Sequence, residues 1–99
     1  MVEISNDVAA KLDKYWAMTE KALTLAKIAA ADKNSREYKS ATDFLAMAKN
    51  YLGDSRHFAG KGDLLTALAA ASYAHAWLDA GARIGLFAVD NSSNLFTVD

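Results

Sequence analysis

The sequence predicts an all-α fold, an up-down-up antiparallel three-helix bundle with a short C-terminal tail. Apolar residues recur at steps of three and four along three long segments, which is the spacing of one helix face. Polar or glycine-containing breaks separate the segments, and the 99 residues include no proline. Because both connections are short, consecutive helices should run antiparallel.

The length corresponds to a single domain. We expect the bundle to occupy residues 1–87, with helices over about 6–31, 35–58 and 63–87. Residues 88–99 form the tail, in which Leu95, Phe96 and Val98 are apolar. This tail either folds back on the bundle, docks on a partner or stays loosely ordered.

Each helix has a recognisable pattern or boundary signal. Asn34, followed by Glu37, resembles a capping box at the start of the second helix. Gly60 suits the end of that helix, and Asp63 suits the N-cap of the third. The apolar stripe of the first helix consists of Val8, Leu12, Tyr15, Thr19, Ala22, Ala26 and Ala29. That of the second consists of Ala41, Phe44, Ala48, Tyr51, Ser55 and Phe58.

Composition excludes several functional classes. The net charge is −1 with no basic cluster, which argues against nucleic acid or an anionic membrane as a partner. The absence of cysteine excludes disulfides, thiolate zinc sites and a cysteine nucleophile, and it fits the reducing cytoplasm. No apolar run is long enough for a signal peptide or a membrane span.

The third helix carries an unusual polar stripe in the stretch SYAHAWLDAGARIGLF. Ser72, His75, Asp79 and Arg83 lie three or four residues apart, so they share one side of the helix. We expect Asp79 to accept a hydrogen bond from Arg83 or from another helix. Tyr73 and Trp77 should pack on the adjacent face. We favour a structural or interface network over a catalytic site, because structural ion pairs produce the same residue pattern.

The same helix is nearly free of charge, which predicts that something covers it. Asp79 and Arg83 are the only charged residues between Leu64 and Phe87. A helix that is apolar on most sides belongs inside an assembly. We therefore expect a homo-oligomer, with a dimer favoured, or a complex with another protein. Met18, Leu25 and Ile28 lie off the first helix's core stripe and are candidates for a second apolar surface.

No residue pattern assigns a catalytic, cofactor or metal site. His57 and His75 lie on different helices, and no Glu-x-x-His pair accompanies them. Ser72, His75 and Asp79 include the residue types of a catalytic triad. On one continuous helix, however, they cannot easily converge on a substrate atom. A ligand site around Trp77, His75 and Asp79 would require a pocket there.

The motif SYAHAWLDAGARIGLF, after Gly62-Asp63, resembles the third helix of domain-of-unknown-function family 357. That resemblance implies a small archaeal cytoplasmic helical bundle without an assigned activity. The matching residues are Tyr73, Trp77, Leu78, Asp79, Gly81 and Arg83. The run AAASYAHA is also weakly similar to HEPN domains, whose nuclease members carry Arg, four to six residues, then His. Here Arg56 directly precedes His57, so only a non-catalytic HEPN likeness applies.

We therefore interpret the chain as an uncharacterised helical protein that serves as a non-catalytic interaction or oligomerisation module. The alternative is a HEPN-like accessory domain to an RNA- or nucleotide-processing enzyme. This alternative predicts a basic groove and RNA binding at low salt.

Overall fold

The computed structural model describes residues 2–89 and residue 96. Its helices are α1 (Val2–Leu25), α2 (Arg36–Gly60) and α3 (Leu64–Arg83), and its short strands are β1 (Lys27–Ile28) and β2 (Phe87–Ala88). The all-α three-helix prediction is confirmed, because the two-residue strands are a minor addition to the helices.

α3 is the central element of the bundle. It packs extensively against both α1 and α2, whereas α1 and α2 contact each other only slightly. The molecule is consequently long and flat, with principal extents of 51 × 26 × 17 Å. One side of α3 contacts α1 and another contacts α2, while no helix of residues 2–89 lies over the remaining side.

Two helices end earlier than their apolar spacing predicted. α1 stops at Leu25 and not at Ala31, and α3 stops at Arg83 and not at Phe87. The residues beyond each end pair with one another as an antiparallel ladder, Lys27 with Ala88 and Ile28 with Phe87. This pairing satisfies backbone groups in segments whose composition would also have suited a helix.

The turn after α3 makes the ladder possible. Gly85 has a φ of +83°, and the N–H of Leu86 donates to the carbonyl of Gly81 at 2.9 Å. This is the hydrogen bond of a glycine-dependent helix ending, and it reverses the chain direction. The carbonyl of Leu86 then accepts from Ala29 N at 2.9 Å, which connects this turn to the segment after α1.

The caps of the other helices are close to the predicted positions. Ser35, not Asn34, caps α2, because its Oγ accepts from the N–H of Tyr38 at 3.1 Å. Asp63 caps α3 as predicted and accepts from the N–H of Thr66 at 3.2 Å. α1 begins at Val2, ahead of the predicted start near Asn6.

The core consists of two apolar clusters, one toward each end of the bundle. The smaller is built on Leu12, Ala67 and Ala71. The larger contains Ala22, Ala41, Ala48, Leu78, Ala82, Leu86, Phe87 and Phe96. Phe96 is therefore a core residue of the predicted tail, and it is 6% exposed. Leu95 and Val98, the other apolar residues of that tail, lie outside the described residues.

Candidate functional site

Hydrogen-bonded polar side chains join the helices inside the bundle, and we call these four residues the polar layer: Trp16, Thr19, Ser55 and His75. Nε1 of Trp16 on α1 donates to Oγ of Ser55 on α2 at 2.8 Å. The Ser55 hydroxyl in turn donates to the carbonyl of Ala67 on α3 at 2.6 Å. Ser55 is fully buried, so one hydroxyl joins all three helices in a region that water does not reach.

A second contact of this layer joins α1 to α3 directly. Oγ1 of Thr19 lies 3.2 Å from Nδ1 of His75, and Nε2 of His75 lies 3.7 Å from Oδ1 of Asp79. Thr19 is fully buried and His75 is 8% exposed, whereas the Asp79 side chain is 30% exposed. The imidazole thus connects a buried hydroxyl to a carboxylate at the edge of the bundle.

An ion pair covers the outer edge of the layer where α1 meets α2. Arg56 pairs with Glu20, and its guanidinium also lies 5.8 Å from the ring centroid of Trp16. Both charged side chains are about half exposed, so the pair contributes little energy by itself.

The four residues of the predicted polar stripe occupy different environments. Ser72 and Arg83 are exposed, Asp79 is partly buried and His75 is buried. The structure brings His75 and Asp79 together. It also adds Thr19, Trp16 and Ser55 to the polar groups of this region. The sequence had placed Thr19 and Ser55 on the apolar core stripes. The interpretation of all four stripe residues as one interface network stays a prediction.

Tyr73 and Trp77 belong to a row of aromatic rings along the junction of α2 and α3. Phe44 meets Trp77 edge-on with 4.9 Å between ring centroids, and Tyr51 meets Tyr73 at 4.4 Å. Tyr73 and Trp77 are themselves 6.2 Å apart. The buried Nε1 of Trp77 has no acceptor among the residues that the structure describes.

Two shallow hollows lie side by side on this junction. The first, of about 250 Å³, is lined by Phe44, Tyr73, Ala76, Trp77 and Ala80. The second, of about 350 Å³, is lined by Tyr51, Asp54, Phe58, Thr66, Ala69, Ala70 and Tyr73. Tyr73 borders both, and Asp54 is their one charged lining residue among those described. Trp77 lines the first hollow, whereas neither His75 nor Asp79 lines either of these two.

The outer side of α3 is exposed but carries almost no charge. Tyr73 is 50% exposed, Leu65 is 70% exposed and Ile84, directly after the helix, is 65% exposed. We call the following six exposed residues the α3 face: Leu65, Ala69, Tyr73, Ala76, Ala80 and Ile84. By contrast, the exposed positions of α1 and α2 include lysine, arginine, aspartate and glutamate throughout. The charge-free run from Leu64 to Leu78 was the signal in the sequence for this surface.

The second apolar surface predicted on the first helix is divided in the structure. Leu25 is 44% exposed, whereas Ile28 lies in β1 and packs against the larger apolar cluster. Met18 is partly buried and borders a hollow of about 240 Å³ together with Lys11, Lys14 and Tyr15. The three residues therefore do not form one exposed patch, and their role as an interface stays a prediction.

Two further properties of the described residues concern metal binding and membrane insertion. Within residues 2–89 and 96, no group of three or more His, Asp or Glu side chains is arranged to hold a metal ion. None of the helices in this part of the chain is sufficiently long and apolar to cross a membrane.

Comparison with known proteins identifies a family for this chain but no characterised relative. A family model described as "Protein of unknown function (DUF357)" matches residues 14–87, which include most of the bundle. No curated protein matches the chain. No solved structure matches it either.

Proposed function

This chain belongs to the DUF357 family of proteins of unknown function, and we propose that it is a non-catalytic self-association module that forms a homodimer through the α3 face. The observation that carries the proposal is the combination of exposure and missing charge on the central helix. An apolar surface of this kind on a small domain is typical of a protein–protein contact.

The composition of the α3 face supports binding to another helix. Alanines at Ala69, Ala76 and Ala80 allow a second helix backbone to approach closely. Tyr73 supplies a large, partly exposed aromatic ring between them, and tyrosine is among the residues enriched in binding hot spots. Burial of apolar area contributes about 25 cal/mol per Å², so covering Leu65, Tyr73 and Ile84 would favour association.

The polar layer supports a structural role more than a chemical one. The Ser55 hydroxyl and the Trp16 N–H are used in hydrogen bonds between helices, at distances of 2.6 and 2.8 Å. Buried polar contacts of this type select one register between helices, because any shift would leave them unsatisfied. The layer would therefore hold α3 in a defined position and keep its outer face correctly presented.

The test is the mass of the protein in solution as a function of concentration, by sedimentation equilibrium or light scattering. We expect a monomer–dimer equilibrium in the micromolar range for the natural sequence. Ala76→Arg places a charge in the middle of the α3 face and should abolish dimer formation. Ala17→Arg is the matched control, because Ala17 is also exposed and helical but lies on the charged outer side of α1.

Two results would contradict the proposal. A natural sequence that stays monomeric at high micromolar concentration does not self-associate. A dimer that survives Ala76→Arg uses a different surface.

The HEPN-like alternative remains a separate prediction with its own test. It requires single-stranded RNA to bind at low salt and to be released as salt is added. Among the described residues, no cation lines the two hollows between α2 and α3, whereas Lys11 and Lys14 border the hollow on α1. An RNA titration of the natural protein against Lys11→Glu/Lys14→Glu would therefore test the alternative where cations are present.

A further inference from the structure

The second hollow combines aromatic rings with one carboxylate. Tyr51, Asp54 and Phe58 border it from α2, and Tyr73 borders it from α3. The three α2 residues lie three and four positions apart, so they share one side of that helix. No lysine, arginine or histidine is among the lining residues that the structure describes. The hollow is therefore a largely apolar, aromatic site with a single negative charge.

We propose that the second hollow binds a small organic ammonium ion, whose cation lies against the aromatic rings and beside the Asp54 carboxylate. The face of an aromatic ring carries negative partial charge and attracts a cation within about 6 Å of the ring centroid. Aromatic side chains around a hollow are the usual means of recognising a quaternary ammonium group. This site goes beyond self-association and does not depend on it, because one chain supplies all the lining residues that the structure describes.

The relative orientation of two tyrosine rings suits a cation. The ring centroids of Tyr51 and Tyr73 are 4.4 Å apart, and the ring planes meet at 73°. Two rings at nearly a right angle form a corner, in which a tetrahedral ammonium group contacts both rings at once. Tyr51 and Phe58 are partly buried and Tyr73 is half exposed. The packing of α2 on α3 therefore holds the corner in place and leaves it open to solvent.

Asp54 supplies the negative charge that complements an organic cation. Its side chain is exposed, and it forms no ion pair with any residue that the structure describes. Arg56, two residues further along α2, pairs with Glu20 of α1 instead. The Asp54 carboxylate is consequently available to a cation from solution, and it adds charge attraction to the contacts that the rings provide.

The volume of the second hollow suits a compact organic ion. The hollow measures about 350 Å³. A cavity of about 150 Å³ is sufficient for a benzene molecule. A tetramethylammonium or choline ion is of comparable size to benzene, so either ion fits the hollow and leaves room for a short substituent on the nitrogen.

A divalent metal ion suits the second hollow less well than an organic cation does. Ca²⁺ takes about six to eight oxygen ligands and Mg²⁺ a near-octahedral set. The hollow offers one carboxylate, and no group of three or more His, Asp or Glu side chains within residues 2–89 and 96 is arranged to hold a metal. The methyl groups of a quaternary ammonium ion, by contrast, gain apolar contact with the rings in addition to charge attraction.

An NMR titration of the natural protein with choline chloride tests the proposal, with potassium chloride balanced to keep the ionic strength constant. We expect the backbone amides of Tyr51, Asp54 and Tyr73 to shift, with a millimolar dissociation constant. Exposed cation–ring contacts and exposed ion pairs each strengthen binding only by about two- to fivefold, so tight binding is not expected. The neutral isostere, in which carbon replaces the choline nitrogen, should bind about tenfold more weakly because it has the same shape without the charge.

Two substitutions separate the charge from the rings. Asp54→Asn keeps the shape of the side chain and removes its charge, and it should weaken choline binding about threefold. Asp43→Asn is the matched control, since Asp43 is also exposed on α2 but does not line the hollow. Tyr51→Leu should weaken binding about threefold as well, whereas Tyr51→Phe retains the ring and should bind choline as the natural protein does.

Each of several results would overturn the ammonium site. Equal binding of choline and its neutral isostere would mean that the hollow recognises no charge. Equal losses from Asp54→Asn and Asp43→Asn would indicate general attraction to the protein surface. Amide shifts confined to residues outside the second hollow would place the ion elsewhere. A protein that is monomeric by light scattering but binds choline at Tyr51 and Asp54 would instead contradict self-association and support the ammonium site.

Discussion

Thr19 and His75 meet between α1 and α3, with 3.2 Å between Oγ1 and Nδ1. Both residues are buried, and both belong to the polar layer that joins the helices. An apolar pair would tolerate sliding of one helix along the other, but a buried hydroxyl and imidazole match only in one register. The contact therefore determines how α1 sits on the central helix.

Replacement of Thr19 by valine should destabilise the fold by about 1–2 kcal/mol, because the shape is kept while a buried hydrogen bond to the imidazole is lost. Urea unfolding followed by tryptophan fluorescence measures this change. Thr24→Val is the matched control, since the Thr24 hydroxyl is exposed and bonds to the Glu20 carbonyl of its own helix at 3.0 Å. If both variants lose the same free energy of unfolding, the Thr19–His75 contact contributes no more to stability than the exposed hydrogen bond of Thr24.

Ser55→Ala should cost about 2 kcal/mol, because the Trp16 N–H and the Ala67 carbonyl lose their shared partner in a buried position. The indole emission of Trp16 should also change as its hydrogen bond disappears. Ser72→Ala serves as the control, since Ser72 is exposed on α3 and its substitution should stay within about 0.5 kcal/mol. A Ser55→Ala variant as stable as the natural protein would show that water replaces the hydroxyl.

Gly81→Ala and Gly53→Ala should have opposite effects on stability. A Cβ at Gly81 would lie 2.8 Å from Cδ2 of Phe87, so Phe87 and its ladder with Ile28 must shift. A Cβ at Gly53 meets nothing within 4 Å, and alanine there should stabilise α2 by up to about 1 kcal/mol. Thermal unfolding of the two variants is the measurement. A gain in stability from Gly81→Ala would contradict the close approach of Phe87.

Phe96→Ala should destabilise the protein by about 3 kcal/mol, as expected for truncating a buried aromatic side chain. The result would show that the segment after β2 contributes to the larger apolar cluster. Leu25→Ala is the comparison, because Leu25 is 44% exposed and its truncation should cost much less. Equal unfolding midpoints for Phe96→Ala and the natural protein would place Phe96 outside the core in solution.

The sequence was sufficient to predict those features of the fold that depend on local interactions. Apolar residues at steps of three and four determine which segments become helices. The N-cap at Asp63 could also be predicted, because capping depends on the residues next to it. The missing charge on the third helix likewise indicated the exposed, charge-poor surface that the structure shows. These features depend on residues within about one helical turn of each other, so no knowledge of distant contacts is needed.

Only the tertiary structure decided the features that join distant residues. The ladder between Ile28 and Phe87 ends two helices early, although their composition favours continuation. His75 is buried and Ser72 is exposed despite a common helix stripe, because α1 covers one edge of that stripe and not the other. The low charge of the α3 face was present in the sequence throughout. Only the packing of the helices showed which side of α3 faces neither α1 nor α2 and is therefore exposed. Exposure depends on how the helices assemble and not on the sequence of one helix.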